Sequence, residues 1–204
     1  MAAPYPVPAG EHRTRDEVAR SRFVTTLAPA PTVDDAHAFV ARVRAEFPDA
    51  THNCWAFVVG PPGSTGRVGM SDDGEPHGTA GRPMLTTLLH SGVGDVAAVV
   101  TRYYGGTKLG TGGLVRAYGG GVAGALATLP TVERVTWARW HAVVDYAAVT
   151  VLQQLLAAHG GRTVAEQYGA DVRYDLELPE AAADSFARAL RDATRGRARI
   201  DAAD

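Results

Sequence analysis

The stretch that most strongly determines how this chain folds reads RYYGGTKLGTGGLVR and occupies residues 102–116. An apolar, strand-like segment, Val96–Val100, precedes it, and a helix-like segment, Leu114–Leu126, follows it. Eight of the chain's 23 glycines lie between Gly105 and Gly121, and glycine is tolerated where the backbone turns left-handed or closely approaches another group. A strand, a glycine-rich loop and a helix in this order direct free backbone N–H groups towards an anion.

The same stretch carries the cations and aromatic rings that nucleic-acid binding uses. Arg102, Lys108 and Arg116 add positive charge around the glycines. Tyr103 and Tyr104 are candidates for stacking on a base, but at most one of them faces outward if the strand continues, because successive strand side chains alternate. We therefore predict an anion-binding or nucleic-acid-binding surface formed by Arg102, Tyr103, Gly105, Gly106, Lys108, Gly110, Gly112, Gly113 and Arg116.

Two established phosphate-binding patterns do not fit this stretch. A P-loop requires Gly-Lys-Ser/Thr, whereas residues 106–108 read Gly-Thr-Lys. The dinucleotide fingerprint Gly-x-Gly-x-x-Gly, started at Gly110, fails at Val115. The glycines are equally compatible with a purely structural role, in which they shape a tight loop and let a helix pack closely on a sheet.

A second motif, residues 71–83, reads SDDGEPHGTAGRP and precedes a helix-like segment with Pro83 in its first turn. Its carboxylates and histidine could bind a hard divalent cation, but Asp and Gly are also the residues of turns and helix N-caps. We expect the motif to order a loop and begin a helix, without a metal ion. We also expect that Asn in place of Asp72 and Asp73 changes stability little, because Asn retains most of the capping ability.

The segment Thr51–Val59 reads as a strand that contains Cys54, the only cysteine. By alternation, His52 and Cys54 share one face, and Trp55 lies on the other. A Cys–His nucleophile pair is conceivable, but a lone cysteine in a strand is usually a small core residue. The second candidate site, whose catalytic role is undetermined, comprises His52, Cys54, Asp72, Asp73, Glu75 and Arg82.

The composition limits the class of protein. A chain of 204 residues with 46% hydrophobic and 21% charged residues is typical of a globular protein with one large or two small domains. The net charge of −2 argues against broad, nonspecific nucleic-acid binding. A single cysteine fits a reducing compartment, and no apolar run approaches the roughly 20 residues that span a bilayer. We therefore expect a cytoplasmic protein that does not insert into a membrane.

The second half of the chain has its own pattern. After a predicted junction at Pro130–Arg139, strand and helix signals follow in the order βαββαβ, which is that of a ferredoxin-like sandwich. The strands are predicted at 140–146, 163–167, 172–178 and 197–200, and the helices at 149–158 and 179–193. We predict two domains, residues 1–132 and 138–204. In the first, we predict a strand over 20–27, a helix start at Thr32–Asp35, and helices over 36–47, 82–89 and 114–129.

Taken together, these motifs resemble those of the IMPACT-type family of YigZ-like proteins. The resemblance covers residues 18–128 and is carried by RSRF at 20–23, HNCWA at 52–56, the motif at 71–83, RYYGG at 102–106 and LGTGGL at 109–114. The RYYGG signature is highly specific. The chain departs from the family at Asn53, where members commonly have His.

The resemblance implies an α+β protein of two domains. The first would be similar to the second domain of a small-subunit ribosomal protein and to GHMP-type kinases. The second would be ferredoxin-like, similar to the last domain of elongation factor G. Eukaryotic relatives modulate translational control through a stress-kinase pathway, and bacterial members are similar to RNA-associated or ribosome-associated proteins.

These observations favour a binding protein of the translation apparatus that contacts RNA or the ribosome and has a regulatory role in translation. It would need no cofactor. Two alternatives stay open. One is an enzyme that acts on a phosphorylated small molecule or nucleotide through the glycine-rich loop, and the other is a module that only binds another protein.

Overall fold

The structure is a computed structural model that describes residues 4–203. The fold is a mixed α+β arrangement of two domains, which confirms the predicted fold class. Contacts within the chain divide it into one compact unit, Tyr5–Arg134, and a second that begins at Val135. The domain limits predicted from the sequence, 1–132 and 138–204, stay a prediction, and residues 1–3 and 204 lie outside the described part of the chain.

The first unit contains a five-stranded antiparallel sheet and three helices. Its elements are β1 (Tyr5–Pro8), β2 (His12–Val18), β3 (Ser21–Pro29), α1 (Val33–Glu46), β4 (His52–Val58), β5 (Val68–Ser71), α2 (Gly81–Leu89), β6 (Val96–Tyr103), α3 (Gly110–Ala127) and β7 (Thr131–Arg134). The sheet order is β2-β3-β6-β4-β5, and β1 pairs separately with β7. The central strand β6 is buried along almost its whole length, which fits its continuous apolar run.

Helices cover both faces of this sheet. Cys54, Ala56 and Val58 face a core formed with α2 and α3, whereas Phe57 and Val59 face a core formed with α1. The alternation predicted for β4 is therefore confirmed. The start of α1 is also as predicted, because Thr32 and Asp35 form a reciprocal capping box.

Two features of the first unit differ from the sequence prediction. The helix α3 begins at Gly110, four residues before the predicted start at Leu114, so Gly112 and Gly113 are helical and do not belong to the loop. Because glycine has a low helix propensity, the sequence pattern did not indicate that this first turn is helical. In addition, β7 lies inside the stretch predicted as a junction and pairs with β1. Four short strands, β1, β2, β5 and β7, were not predicted.

The second unit has the predicted βαββαβ order. Its elements are β8 (Trp137–Val144), α4 (Val149–Ala158), β9 (Arg162–Tyr168), β10 (Val172–Pro179), α5 (Glu180–Ala193) and β11 (Arg199–Ala202), with a short 3-10 turn at Tyr146–Ala148. The sheet is antiparallel in the order β11-β8-β10-β9. Leu152 of α4 and Phe186 of α5 pack with Leu176 of β10 in one core. No helix within residues 4–203 is long and apolar enough to cross a membrane.

Candidate functional site

The centre of the candidate site is a buried ion pair between the two sequence motifs. Arg102, near the end of β6, donates from Nη1 to Oε1 of Glu75 at 2.6 Å. Arg102 is 5% exposed and Glu75 is 8% exposed. The charge of Arg102 is therefore met inside the protein, so Arg102 is not the exposed phosphate-binding cation that the sequence predicts.

Two further residues, which were not predicted, hold this pair. Tyr118 of α3 donates its hydroxyl to the same oxygen, Glu75 Oε1, at 2.7 Å, and burial raises the pKa of Tyr118, so the hydroxyl keeps its proton. Ser21 Oγ accepts from Arg102 Nη2 at 3.3 Å. Arg102 Nε is buried and has no hydrogen-bond partner in the described chain. Nothing in the sequence indicates this role for Tyr118, because its position one turn after Leu114 is equally that of an ordinary core tyrosine.

His52 lies beside the free oxygen of Glu75. Its Nδ1 lies 2.7 Å from the carbonyl oxygen of Asp73, and a carbonyl only accepts, so Nδ1 carries the proton. Its Nε2 lies 3.9 Å from Glu75 Oε2, which is too long for a hydrogen bond. His52, Glu75 and Arg102 therefore form one cluster, although they come from separate stretches of sequence.

The two aspartates of the second motif are occupied by backbone and side-chain donors. The carboxylate of Asp72 accepts from the backbone N–H groups of Gly78, Ala80 and Gly81, at 2.7, 3.0 and 2.8 Å. Burial tends to raise the pKa of Asp72, but these three hydrogen bonds outweigh it and hold the pKa below its usual value. Asp72 thus orders the loop and starts α2, in the role predicted for this motif.

Asp73 is likewise tied into the fold. Its carboxylate accepts from the backbone N–H of Asn53 at 2.6 Å and from the guanidinium of Arg44. With both aspartates so engaged, residues 4–203 contain no group of three His, Cys, Asp or Glu side chains arranged to hold a metal ion. Arg82 is exposed at the start of α2, and the salt bridges of Glu75 among the described residues do not include it.

Cys54 is fully buried and is a poor nucleophile. Its thiol donates to the carbonyl oxygen of Asp72 at 2.9 Å, and burial raises its pKa to about 12. A thiolate, which is the reactive form, is therefore scarce at neutral pH. The geometry favours the core role for Cys54 over the nucleophile role.

The start of α3 opens beside the buried pair. Leu109 occupies the N-cap position and provides no side-chain hydrogen bond. The N–H groups of the first turn are therefore uncapped, and they lie at the positive end of the helix dipole. This turn borders a depression of about 440 Å³, which we call the α3 depression. Its lining includes Glu75, Arg102, Tyr104, Lys108, Gly110 and Thr111.

Among the predicted glycines, only some require glycine. Gly106 and Gly110 have φ angles of 84° and 70°, which L-residues rarely adopt. Gly105 lies so close to β3 that a Cβ atom would sit 1.9 Å from the carbonyl oxygen of Arg20. At Gly112, in contrast, a Cβ atom would make only an ordinary contact, 3.9 Å from the guanidinium of Arg116.

The remaining predicted residues fall into two groups. Lys108 and Arg116 are exposed, and the guanidinium of Arg116 lies 3.9 Å from the Cβ position of Gly112, so it reaches back along the first turn of α3. Tyr103 points to the opposite face of the sheet, where its hydroxyl donates to Asp49 and Arg22 covers its ring. Tyr104, which was not included among the predicted contacts, is the tyrosine at the depression and is 46% exposed.

Comparison with known proteins identifies both domains. Residues 19–126 match the Impact N-terminal domain, and residues 143–197 match a domain of unknown function, DUF1949. The chain is 46% identical over 190 residues to IMPACT family member YigZ of Escherichia coli strain K12, which covers 93% of each chain. It is 35% identical over 192 residues to IMPACT family member YvyE of Bacillus subtilis strain 168, which covers 94% of this chain and 87% of YvyE.

A solved structure has a similar fold. It is the crystal structure of a hypothetical protein that is 43% identical to this chain, with a TM-score of 0.70, and the match covers 100% of this chain and 99% of the other. Both domains are thus part of a shared architecture. The chain belongs to the IMPACT family, a family related to the regulation of translation.

Proposed function

We propose that this protein is a binding protein of the translation apparatus and that it contacts RNA, free or in the ribosome, through the α3 depression. The observation that carries the proposal is the uncapped start of α3 beside Lys108. Helix N-termini favour phosphate, because their free N–H groups point at the anion and the positive end of the helix dipole attracts its charge.

The local electrostatics support an anionic ligand. Arg102 and Glu75 cancel each other as a buried pair. Lys108 and Arg116 have no salt-bridge partner among residues 4–203, so their charges are available to a ligand. Because the whole chain carries a net charge of −2, attraction of RNA would depend on this local patch and not on the overall charge.

The proposal is tested with a labelled single-stranded RNA of about 12 nucleotides. Its binding is measured by fluorescence anisotropy at salt concentrations between about 50 and 200 mM. The parent protein should bind, and its affinity should fall as salt rises. Lys108→Ala should weaken binding and reduce the log–log salt slope by about 0.7, the value for one phosphate contact on a single strand.

The matched control is Arg188→Ala. Arg188 is an exposed cation on α5, in the other domain, with no salt bridge to the described residues. Its replacement by Ala therefore removes the same charge from a different surface. If Lys108→Ala and Arg188→Ala behave alike, the α3 depression is not the RNA site. Sedimentation of the protein with ribosomes, with and without the Lys108 substitution, extends the test to the assembled partner.

A second candidate function is favoured by one specific observation. Glu75 is a buried carboxylate next to His52, at the edge of the same depression, and paired acid–base groups beside a phosphate site suit an enzyme that acts on a phosphorylated small molecule. The carboxylates of Asp72 and Asp73 already accept hydrogen bonds from backbone N–H groups of the protein, so these residues would take no part in this chemistry. A rise in melting temperature with Mg²⁺ and a nucleotide, without RNA binding, would favour this enzyme. Capture of a protein partner without either effect would favour a protein-interaction module.

A further inference from the structure

We infer that the α3 depression holds one ribonucleotide unit and distinguishes RNA from DNA, with the 2′-hydroxyl donating to Glu75. This inference rests on the proposed function and names the chemical group that the site reads. The phosphate would lie at the start of α3, and the base would lie against Tyr104.

The first observation is an unused acceptor. Both donors to Glu75, from Arg102 and Tyr118, reach the same oxygen, Oε1. The other oxygen, Oε2, accepts no hydrogen bond from any residue between 4 and 203, and His52 Nε2 lies 3.9 Å from it. Oε2 is not among the fully enclosed atoms that lack a partner, so a ligand that donates a hydrogen bond can reach it.

The second observation is the kind of group that this oxygen accepts. Arg102 and Glu75 both line the depression, but Arg102 Nε is too enclosed to contact a ligand, so Glu75 Oε2 is the open position. A phosphate oxygen cannot donate to it and would be repelled by the carboxylate. A hydroxyl donates without added charge, so it satisfies Glu75 Oε2. In RNA the 2′-hydroxyl is such a group, and DNA lacks it.

The third observation places a ring beside this pair. Tyr104 lines the depression and is 46% exposed. The guanidinium of Arg102 lies 5.4 Å from the centre of its ring, which holds the ring by a cation–π contact. Stacking of bases on an exposed aromatic ring tolerates all four bases. The site would therefore read the sugar and not the base sequence.

The test compares four oligonucleotides of one sequence that differ only at the sugar: RNA, 2′-deoxy, 2′-fluoro and 2′-O-methyl. Binding to the full-length protein is followed by anisotropy at constant salt. Loss of a hydrogen bond to a charged group should weaken binding by about tenfold or more. The 2′-fluoro strand retains the sugar pucker of RNA but cannot donate, so it should bind as weakly as DNA.

Two variants locate the effect. Glu75→Gln should reduce the ratio of RNA to DNA affinity, while Tyr104→Leu should weaken RNA and DNA to a similar extent. Circular dichroism establishes that each variant is folded. If Glu75→Gln does not fold, the oligonucleotide series with the parent protein still decides the question.

The possible results separate this inference from the proposed function. If all four strands bind equally and Lys108→Ala weakens them all, the site binds phosphate and the ribose inference is wrong. If the 2′-fluoro strand binds as tightly as RNA while DNA binds weakly, the site reads sugar pucker, which also overturns the inference. If no strand binds, both the inference and the proposed function fail.

Discussion

Arg102 donates a hydrogen bond to Glu75 at 2.6 Å, and less than a tenth of the surface of each residue is exposed. The two residues lie 27 positions apart in sequence, and their contact joins the motif at 71–83 to the motif at 102–116. Burial of a charge is costly unless it is paired and hydrogen-bonded. The pair therefore couples the stability of the domain to the shape of the candidate site.

The first prediction concerns this ion pair. Arg102→Ala should lower the free energy of unfolding by about 3–5 kcal/mol, because it leaves the carboxylate of Glu75 buried without its cation. Denaturation by urea, followed by circular dichroism, measures the change. Arg116→Ala, which removes an exposed cation with no salt bridge within residues 4–203, should alter the free energy by about 0.5 kcal/mol or less.

A double variant, Arg102→Met with Glu75→Leu, separates pairing from packing. It should be more stable than Arg102→Ala, because neither charge then stays buried alone. Equal stability of the single and double variants would show that the loss comes from the cavity and not from the charge.

The second prediction concerns Asp72. Asn has one acceptor oxygen where Asp has two, so Asp72→Asn cannot satisfy all three backbone N–H donors. We expect the free energy of unfolding to fall by about 1–3 kcal/mol at neutral pH. This replaces the expectation from sequence that Asn changes stability little. The comparable change at Asp16, an exposed β2 residue whose side chain has no hydrogen bond to the described residues, should have almost no effect.

The pH dependence of Asp72 follows from the direction of its pKa shift. The folded pKa lies below the ordinary value of 3.8, so the unfolded state binds a proton first as pH falls. The stabilisation is present above about pH 4 and is lost as pH falls through the folded pKa. The parent protein should therefore lose more stability on acidification than Asp72→Asn does, as thermal melts across this range can measure. Parallel loss in both proteins would rule out this role for Asp72.

The third prediction contrasts two glycines. Gly105→Ala places a methyl group against the backbone of Arg20 and should cost about 3 kcal/mol or more, since backbone atoms cannot rotate away. Gly112→Ala adds a methyl group that meets only the flexible Arg116 side chain, at 3.9 Å, and lies in α3, so it should stabilise the protein by about 0.5–1 kcal/mol. Thermal melts of the two variants give the comparison. A destabilised Gly112→Ala protein would mean that this glycine has a role beyond the described helix.

The fourth prediction concerns Cys54. Because burial raises its pKa to about 12, the native protein should react slowly with a thiol reagent such as iodoacetamide at about pH 8. The unfolded protein in guanidinium should react at the rate of a free thiol. Rapid modification of the native protein would restore the nucleophile hypothesis.

The sequence was informative wherever a local pattern determines the structure. The capping box at Thr32 and Asp35 was readable because its partners are three residues apart. The two faces of β4 were readable because successive side chains of a strand point to opposite faces, and the two cores contain the residues so assigned. The order of the second domain followed from clear helix and strand periods between residues 140 and 200.

Contacts across the sheet could not be read in the same way. No local pattern indicates that Arg102 pairs with Glu75, or that Tyr118 shares the same oxygen, because these contacts depend on how α3 packs on β6. The prediction treated Arg102 as an exposed cation for that reason. It also included Tyr103, and not the other stacking candidate Tyr104, in the predicted surface, because the orientation of the two rings could not be known until the end of β6 was placed.

The most direct test of the central claim, that the start of α3 contacts RNA phosphate, is amide NMR of the 21.4 kDa protein during titration with single-stranded RNA. The largest shift changes should occur at the backbone N–H groups of residues 110–113 and at Lys108, and they should weaken as salt rises. Shift changes confined to other surfaces, such as β9 or the face of the sheet at Tyr103, would contradict the claim.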